Sequence, residues 1–398
     1  MENKFAIFKI NPGAKPNNLH GRIIPNFSDP NVKMGSHSFK IMNDDVSDLD
    51  LTVAGDKFPY IRFDNRVVFP GPDKLPAGFN PARVLEDGKD PGLGVKELHK
   101  RGITGRGIKV AIIDQPLDTE HIEYKDNLIH YEQIGHSDTD EVSAHGPAVA
   151  SLLCGKTIGV APDVQLIYFA AQHLKPADDK DEPLRTHSEQ ERKTYTGNYA
   201  KALRKILFMN TALPDGEKID AVSISWGRLH ENKETAELLQ KLAESGVMVL
   251  TTDAYRTYGE TAEFTSIDRQ MNTAPDDPKS YIPGFWRDYK YRAPEQILVP
   301  AGGRTTAGLG GHDNYVYCGI NGGMSWSTPY LVGVYALAKQ TNPTLTPKRF
   351  FELAHQTGAA MKTGEEQRGL IIQPEKIIDV LQREMLMQKQ KVNNSMDR

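Results

Sequence analysis

Apolar residues along this chain gather into two recurring patterns. Short, near-continuous apolar runs stand at 108–114, 164–171, 220–227 and 247–252. Continuity over so short a stretch is the pattern of a strand buried on both faces. Between them lie longer segments with apolar residues at helical spacing, such as Ala200, Leu203, Ile206 and Leu207 within 195–210. Further helical patterns fall at 233–245, 346–356 and 374–388, and a short helix and glycine turn at 92–107 lead into the first strand. Alternating strands and helices predict an α/β fold: a mostly parallel sheet with helices on both faces. Ligands of such sheets bind at the carboxyl ends of the strands, and Asp114 ends the first strand.

Residues 1–90 read differently. Strand-like runs at 5–10, 37–41 and 60–69 are separated by Pro, Gly and Asp clusters such as 70–73, which predicts a small β-rich N-terminal module. The boundaries expected are 1–90 for this extension or propeptide-like module, 91–388 for the main domain and 389–398 for a polar tail that frays. The stretch 253–315, rich in Asp, Pro, Gly and Tyr, reads as irregular loops around a cleft. The charged insert 172–192 reads as a solvated loop. Its run Asp178-Asp179-Lys180-Asp181-Glu182 is oxygen-rich enough to raise calcium, but no spaced calcium-loop signature is present.

Composition changes this picture little. With 398 residues, 25% charged and a formal net charge of −4, the chain has no basic excess to suggest nucleic acid or an anionic membrane. No run approaches a membrane span, and the start lacks the apolar core of a signal peptide, so a cytoplasmic protein is expected. Two cysteines, Cys154 and Cys318, give no disulfide framework and read as buried thiols. No cofactor or metal is expected, and the oligomeric state is open.

Candidate chemistry centres on Gly322-Gly323-Met324-Ser325-Trp326-Ser327-Thr328-Pro329 and the apolar run that follows it. Proline is tolerated in a first helical turn, so Thr328-Pro329 is expected to open a helix. That sets Ser325 at the positive end of the helix dipole, a suitable place for a nucleophile that must also stabilise an oxyanion. Asp114 at a strand end and His145, in His145-Gly146-Pro147-Ala148-Val149-Ala150 at a helix start, complete the order Asp, His, Ser. This is one of the orders in which a hydrolytic triad occurs.

With these motifs the chain resembles the subtilisin-like serine proteases, the subtilases. The family's Asp motif matches residues 112–121, its His motif 145–150 and its Ser motif Gly323 to Pro329; 158–162 and 369–372 add weaker matches. The resemblance covers roughly residues 90–385. It implies a serine endopeptidase in which Ser325 attacks the carbonyl, His145 moves the proton and Asp114 orients the imidazole. It also implies that Ser225, Trp226 and Gly227 pair with an extended peptide substrate, with Trp226 lining a side-chain pocket or else packing in the core. The family's second oxyanion donor, an Asn, is missing. An ungapped comparison sets Tyr255 there, a two-residue gap sets Asp253 there, and Thr252 is a third candidate; Asp253 is the assignment adopted. The alternative function is a catalytically weak or inactive homologue that binds peptides or proteins through the same cleft; an esterase or transpeptidase using the triad is a third.

Overall fold

The computed structural model describes residues 7–11, 13–16, 21–23, 39–135, 141–171, 189–284, 295–320 and 322–396. The strand Lys109–Asp114 is the axis of the molecule. It pairs in parallel with Gln165–Ala170 on one side and Ala221–Ile224 on the other; Leu128–Gln133 and Met248–Thr251 complete an all-parallel five-stranded sheet. The order reverses beside this strand, because the next two strands lie on one flank and the following two on the other. Such a switch point opens a crevice at the carboxyl ends, where Asp114 sits.

Alternate residues of the axial strand enter different cores. Val110 and Ile112 join a cluster with Val149, Leu153, Leu331 and Phe351, whereas Ala111 and Ile113 join one with Tyr199, Leu203, Ile206 and Leu239. The period of two explains why both faces need helices. The first face carries His145–Cys154, Met324–Thr341, Pro347–Thr357 and Pro374–Met396; the second carries Glu189–Ala212 and Lys233–Glu244. The helix Met324–Thr341 has every residue from Ser327 to Ala338 buried, as a helix apolar all round must.

Three expectations change. The stretch 253–315 is not irregular. It holds Phe264–Arg269, Tyr281–Pro283, Ile297–Pro300 and Arg304–Ala307, and it ends on the first residue of Tyr315–Cys318. Phe264–Arg269 gives no apolar signal because it buries Thr265, Ser266, Asp268 and Arg269. Together with Ile297–Pro300, Tyr281–Pro283, Glu366–Ile371 and Ala359–Thr363 it forms a second, mixed sheet. The tail expected to fray from 389 continues as helix to Met396. Of the insert, residues 172–188, including the Asp178–Glu182 run, lie outside the described residues, and the helix begins at Glu189.

The N-terminal strands are shorter than expected: Gly21–Ile23, Lys40–Met42 and Arg62–Asp64. They do not form a sheet of their own. Arg62–Asp64 pairs antiparallel with Tyr315–Cys318, which pairs with Arg304–Ala307, so strands more than 200 residues apart share one sheet. The helix Pro81–Gly88 then leads towards the main body. Its last carbonyls are held by two buried arginines: Arg269 donates to Asp87 O, Asp90 O and Gly303 O, and Arg304 to Gly88 O and Ile158 O. Cations suit a helix C-terminus, where carbonyl dipoles end.

Candidate active site

Asp114 is 1% exposed and its carboxylate is fully engaged from one oxygen: Oδ1 accepts Gln115 N–H at 2.8 Å and His145 Nδ1–H at 2.6 Å. The short contact depends on how closely the His145 helix docks. A Cβ on Gly146 would lie 2.5 Å from Gln115 O and 2.7 Å from Pro116 O, so only glycine allows the imidazole to reach the strand end. Tyr168 supports the same loop by donating to Gln115 O at 2.6 Å. Ser143, just ahead of the helix, accepts from His145 N–H and Gly146 N–H, each at 3.3 Å. Neither Tyr168 nor Ser143 was marked by sequence; a serine two residues before His145 was the available signal for the latter.

With Nδ1 bound to the carboxylate, Nε2 is the ring nitrogen left to accept a proton. Burial is the strongest influence on the imidazole and pulls its pKa down. The charge of Asp114 and the hydrogen bond to it outweigh burial, so the pKa rises above its ordinary value, with Arg62 opposing the rise.

The helix that carries Ser325 starts earlier than expected, at Met324, so Pro329 lies inside it and Ser325 is its second residue. There the Ser325 N–H has no intrahelical acceptor. Pro329 has no N–H to give the carbonyl four residues back, which is that of Ser325. The hydroxyl of Ser225 takes this place, donating to Ser325 O at 2.6 Å. In return Ser325 Oγ donates to Ser225 O at 3.1 Å. The proline thus explains the reciprocal pair between this helix and the end of the Ala221–Ile224 strand. Ser327 fixes the helix from another side, donating to Val299 O at 2.9 Å. In this arrangement the Ser325 hydroxyl faces Ser225 rather than the imidazole; rotation about its χ1 is what would turn it.

Trp226 is half-buried, with its ring 4.9 Å from that of Tyr199 and packed on the second core. Trp326 is half-buried beside the first core and against Met42, Val316 and Cys318. Gly227 has a packing reason to be glycine: a Cβ would lie 2.7 Å from Asp253 Oδ2 and 2.8 Å from Thr252 Oγ1. Asp253 and Thr252 therefore face the Ser225–Gly227 segment, while Tyr255 begins the short helix Tyr255–Tyr258. Asp253 Oδ2 accepts Arg228 N–H at 3.2 Å. Cys154 and Cys318 are buried free thiols. Among the described residues no group of three or more His, Cys, Asp or Glu could hold a metal ion.

The sequence model described as the subtilase family matches residues 105–248, a span that includes Asp114 and His145 and ends before Ser325. The minor extracellular protease Vpr of Bacillus subtilis (strain 168) is 33% identical over 98 residues, 21% of this chain. The match spans about 12% of that relative's length. The solved structure of the prenylagaramide maturation protease PagA matches at a TM-score of 0.47 and 16% identity, over 72% of this chain and 98% of that one, a likeness too weak to argue from. The relative overturns one expectation. A cytoplasmic place was read from the missing leader, but the matching protease is an extracellular one. The start of a sequence matched over so small a part of its relative says nothing about compartment. Among the described residues no helix is long and apolar enough to cross a membrane.

Proposed function

Because the chain belongs to the subtilase family, we propose that it is a serine endopeptidase, with Ser325 as nucleophile, His145 as general base and acid, and Asp114 orienting the imidazole. The observation that carries this reading is the 2.6 Å contact between Asp114 Oδ1 and His145 Nδ1 at the switch point of the parallel sheet. In that reaction Ser325 Oγ turns from Ser225 O towards Nε2 and attacks the substrate carbonyl. His145 takes its proton and returns it to the leaving amine, and the acyl-enzyme is then hydrolysed by water. The Ser325 N–H is one donor to the developing oxyanion, and the family position of the second falls on Asp253. The substrate is a peptide or protein segment extended along Ser225, Trp226 and Gly227, in the manner of strand addition.

A second reading, a peptide-binding homologue of little activity, is favoured by one observation. Asp253 Oδ2 accepts a hydrogen bond from Arg228 N–H, and an ionised carboxylate has no proton to give an oxyanion. A fluorophosphonate probe separates the two. Stoichiometric labelling at Ser325, abolished in Ser325→Ala together with a loss of several orders of magnitude in peptide turnover, is the expected result. A native protein that takes up no probe and cleaves no unfolded substrate is the binder.

A further inference from the structure

The arginines fully buried in this fold are satisfied: Arg269 donates to three carbonyls and Arg304 to two. Arg62, which is only partly buried, is not satisfied in this way. Its Nε is sealed from solvent without a partner, and among the described residues its guanidinium makes no hydrogen bond or ion pair. A buried N–H left unpaired is costly, so a fold retains one where something else completes it.

Its position says where that completion occurs. Arg62 lies directly opposite Cys318 in an antiparallel pair, and opposed residues share a face. On that face Cys318 packs with Trp326, the residue after Ser325. The backbone is pinned alongside: Gly319 N–H donates to Ile61 O at 2.9 Å and Ile320 N–H to Pro59 O at 2.8 Å. The positive charge is close enough to His145 to oppose its protonation. Two carboxylates of the site and of its own strand are engaged elsewhere. Asp114 holds His145, and Asp64 accepts from Asn43 N–H and from Asn314 Nδ2. Arg62 belongs to a different sheet from the Ser225 strand, and Gly319 and Ile320, bonded beside it, lie a few residues ahead of the helix that carries Ser325. If the acyl half of a peptide lies along Ser225–Gly227, the half left beside Arg62 is the leaving group.

We propose that Arg62 is a specificity-determining residue whose guanidinium receives a substrate carboxylate within the first two positions after the scissile bond. This rests on the reading of Ser325 as nucleophile. A carboxylate fits because it accepts the planar fork in two parallel hydrogen bonds. Its source is an Asp or Glu side chain, or the free end of a short leaving peptide.

The test uses the full chain and matched peptide pairs. One set has Asp or Glu against Asn or Gln at each of the two positions, with an amidated end. The other has neutral residues and ends at those positions with a free or an amidated terminus. The expected result is a ratio of kcat/KM, acid over amide, on the order of tenfold or more in one set, which names the source. The ratio falls to about one in Arg62→Gln and below one in Arg62→Glu. Each ratio is taken on one preparation, so partial unfolding of a variant cancels. An unchanged ratio in Arg62→Gln, or no preference in either set for the unsubstituted protein, overturns the proposal. If nothing is cleaved, the hydrolase reading fails separately. Anisotropy of the same labelled pairs on Ser325→Ala, with and without Arg62→Gln, then decides the role of Arg62 by the same ratio.

Discussion

Single atoms decide most of what this site can do. Asp253 Oδ2 accepts Arg228 N–H beside Gly227, the segment expected to hold substrate. Asn at this position keeps an oxygen for Arg228 and adds an N–H donor. Asp253→Asn is therefore expected to raise kcat by about tenfold or more with little change in KM, since one oxyanion donor is typically worth about 100- to 1,000-fold. A fall in steady-state kcat removes residue 253 from the oxyanion position. The imidazole gives a pH signature. Asp114 raises the His145 pKa and Arg62 opposes the rise, so the free enzyme's acid limb in kcat/KM should inflect above the ordinary histidine value. Sign follows from role: a base must be neutral, so activity is lost as pH falls through that raised value. Asp114→Asn should lower the inflection and cut kcat by about 10⁴; a limb that stays in place assigns it to another group. Asp114 and His145 were legible in sequence because their motifs are local and ordered. Arg62 was not, because what singles it out is an absence of partners among the described residues, which only the assembled surroundings reveal.

Elements explain why those atoms hold their places. The nucleophile helix was foreseen, but its start was misplaced by assigning Pro329 to the first turn. The proline instead sits inside, and the freed Ser325 carbonyl is met by the Ser225 hydroxyl, a pairing across a hundred residues that no local pattern announces. The strands of 253–315 were hidden by the buried polar residues they carry; Asp268 and Arg269 look like loop residues until their partners are known. Arg269 makes a testable case. It binds three carbonyls at the end of Pro81–Gly88 and in the turn after Pro300. Arg269→Ala strands buried acceptors and should cost about 3 kcal/mol in urea unfolding. Hydrogen exchange should show the loss concentrated in 81–90. A change below about 1 kcal/mol would mean water satisfies those carbonyls as well as the guanidinium does.

At the scale of the molecule, the α/β architecture was read correctly because both-face burial leaves continuous apolar runs, and four of the five central strands were marked by them. The fifth, Leu128–Gln133, is an edge whose alternation with polar residues blurs the signal. A compositional boundary was expected near residue 90. What composition does not encode is that strands before it complete a sheet with residues 304–318, since pairing partners 250 residues apart leave no trace in either segment alone. This arrangement bears on synthesis. The strand at 62–64 leaves the ribosome about 250 residues before its neighbour at 315–318, and the Ser325 hydroxyl follows seven residues later. The proposed site is therefore not assembled until the chain has been made through the Ser325 helix, so a nascent copy that stops short of it holds Asp114 and His145 without the hydroxyl they would serve.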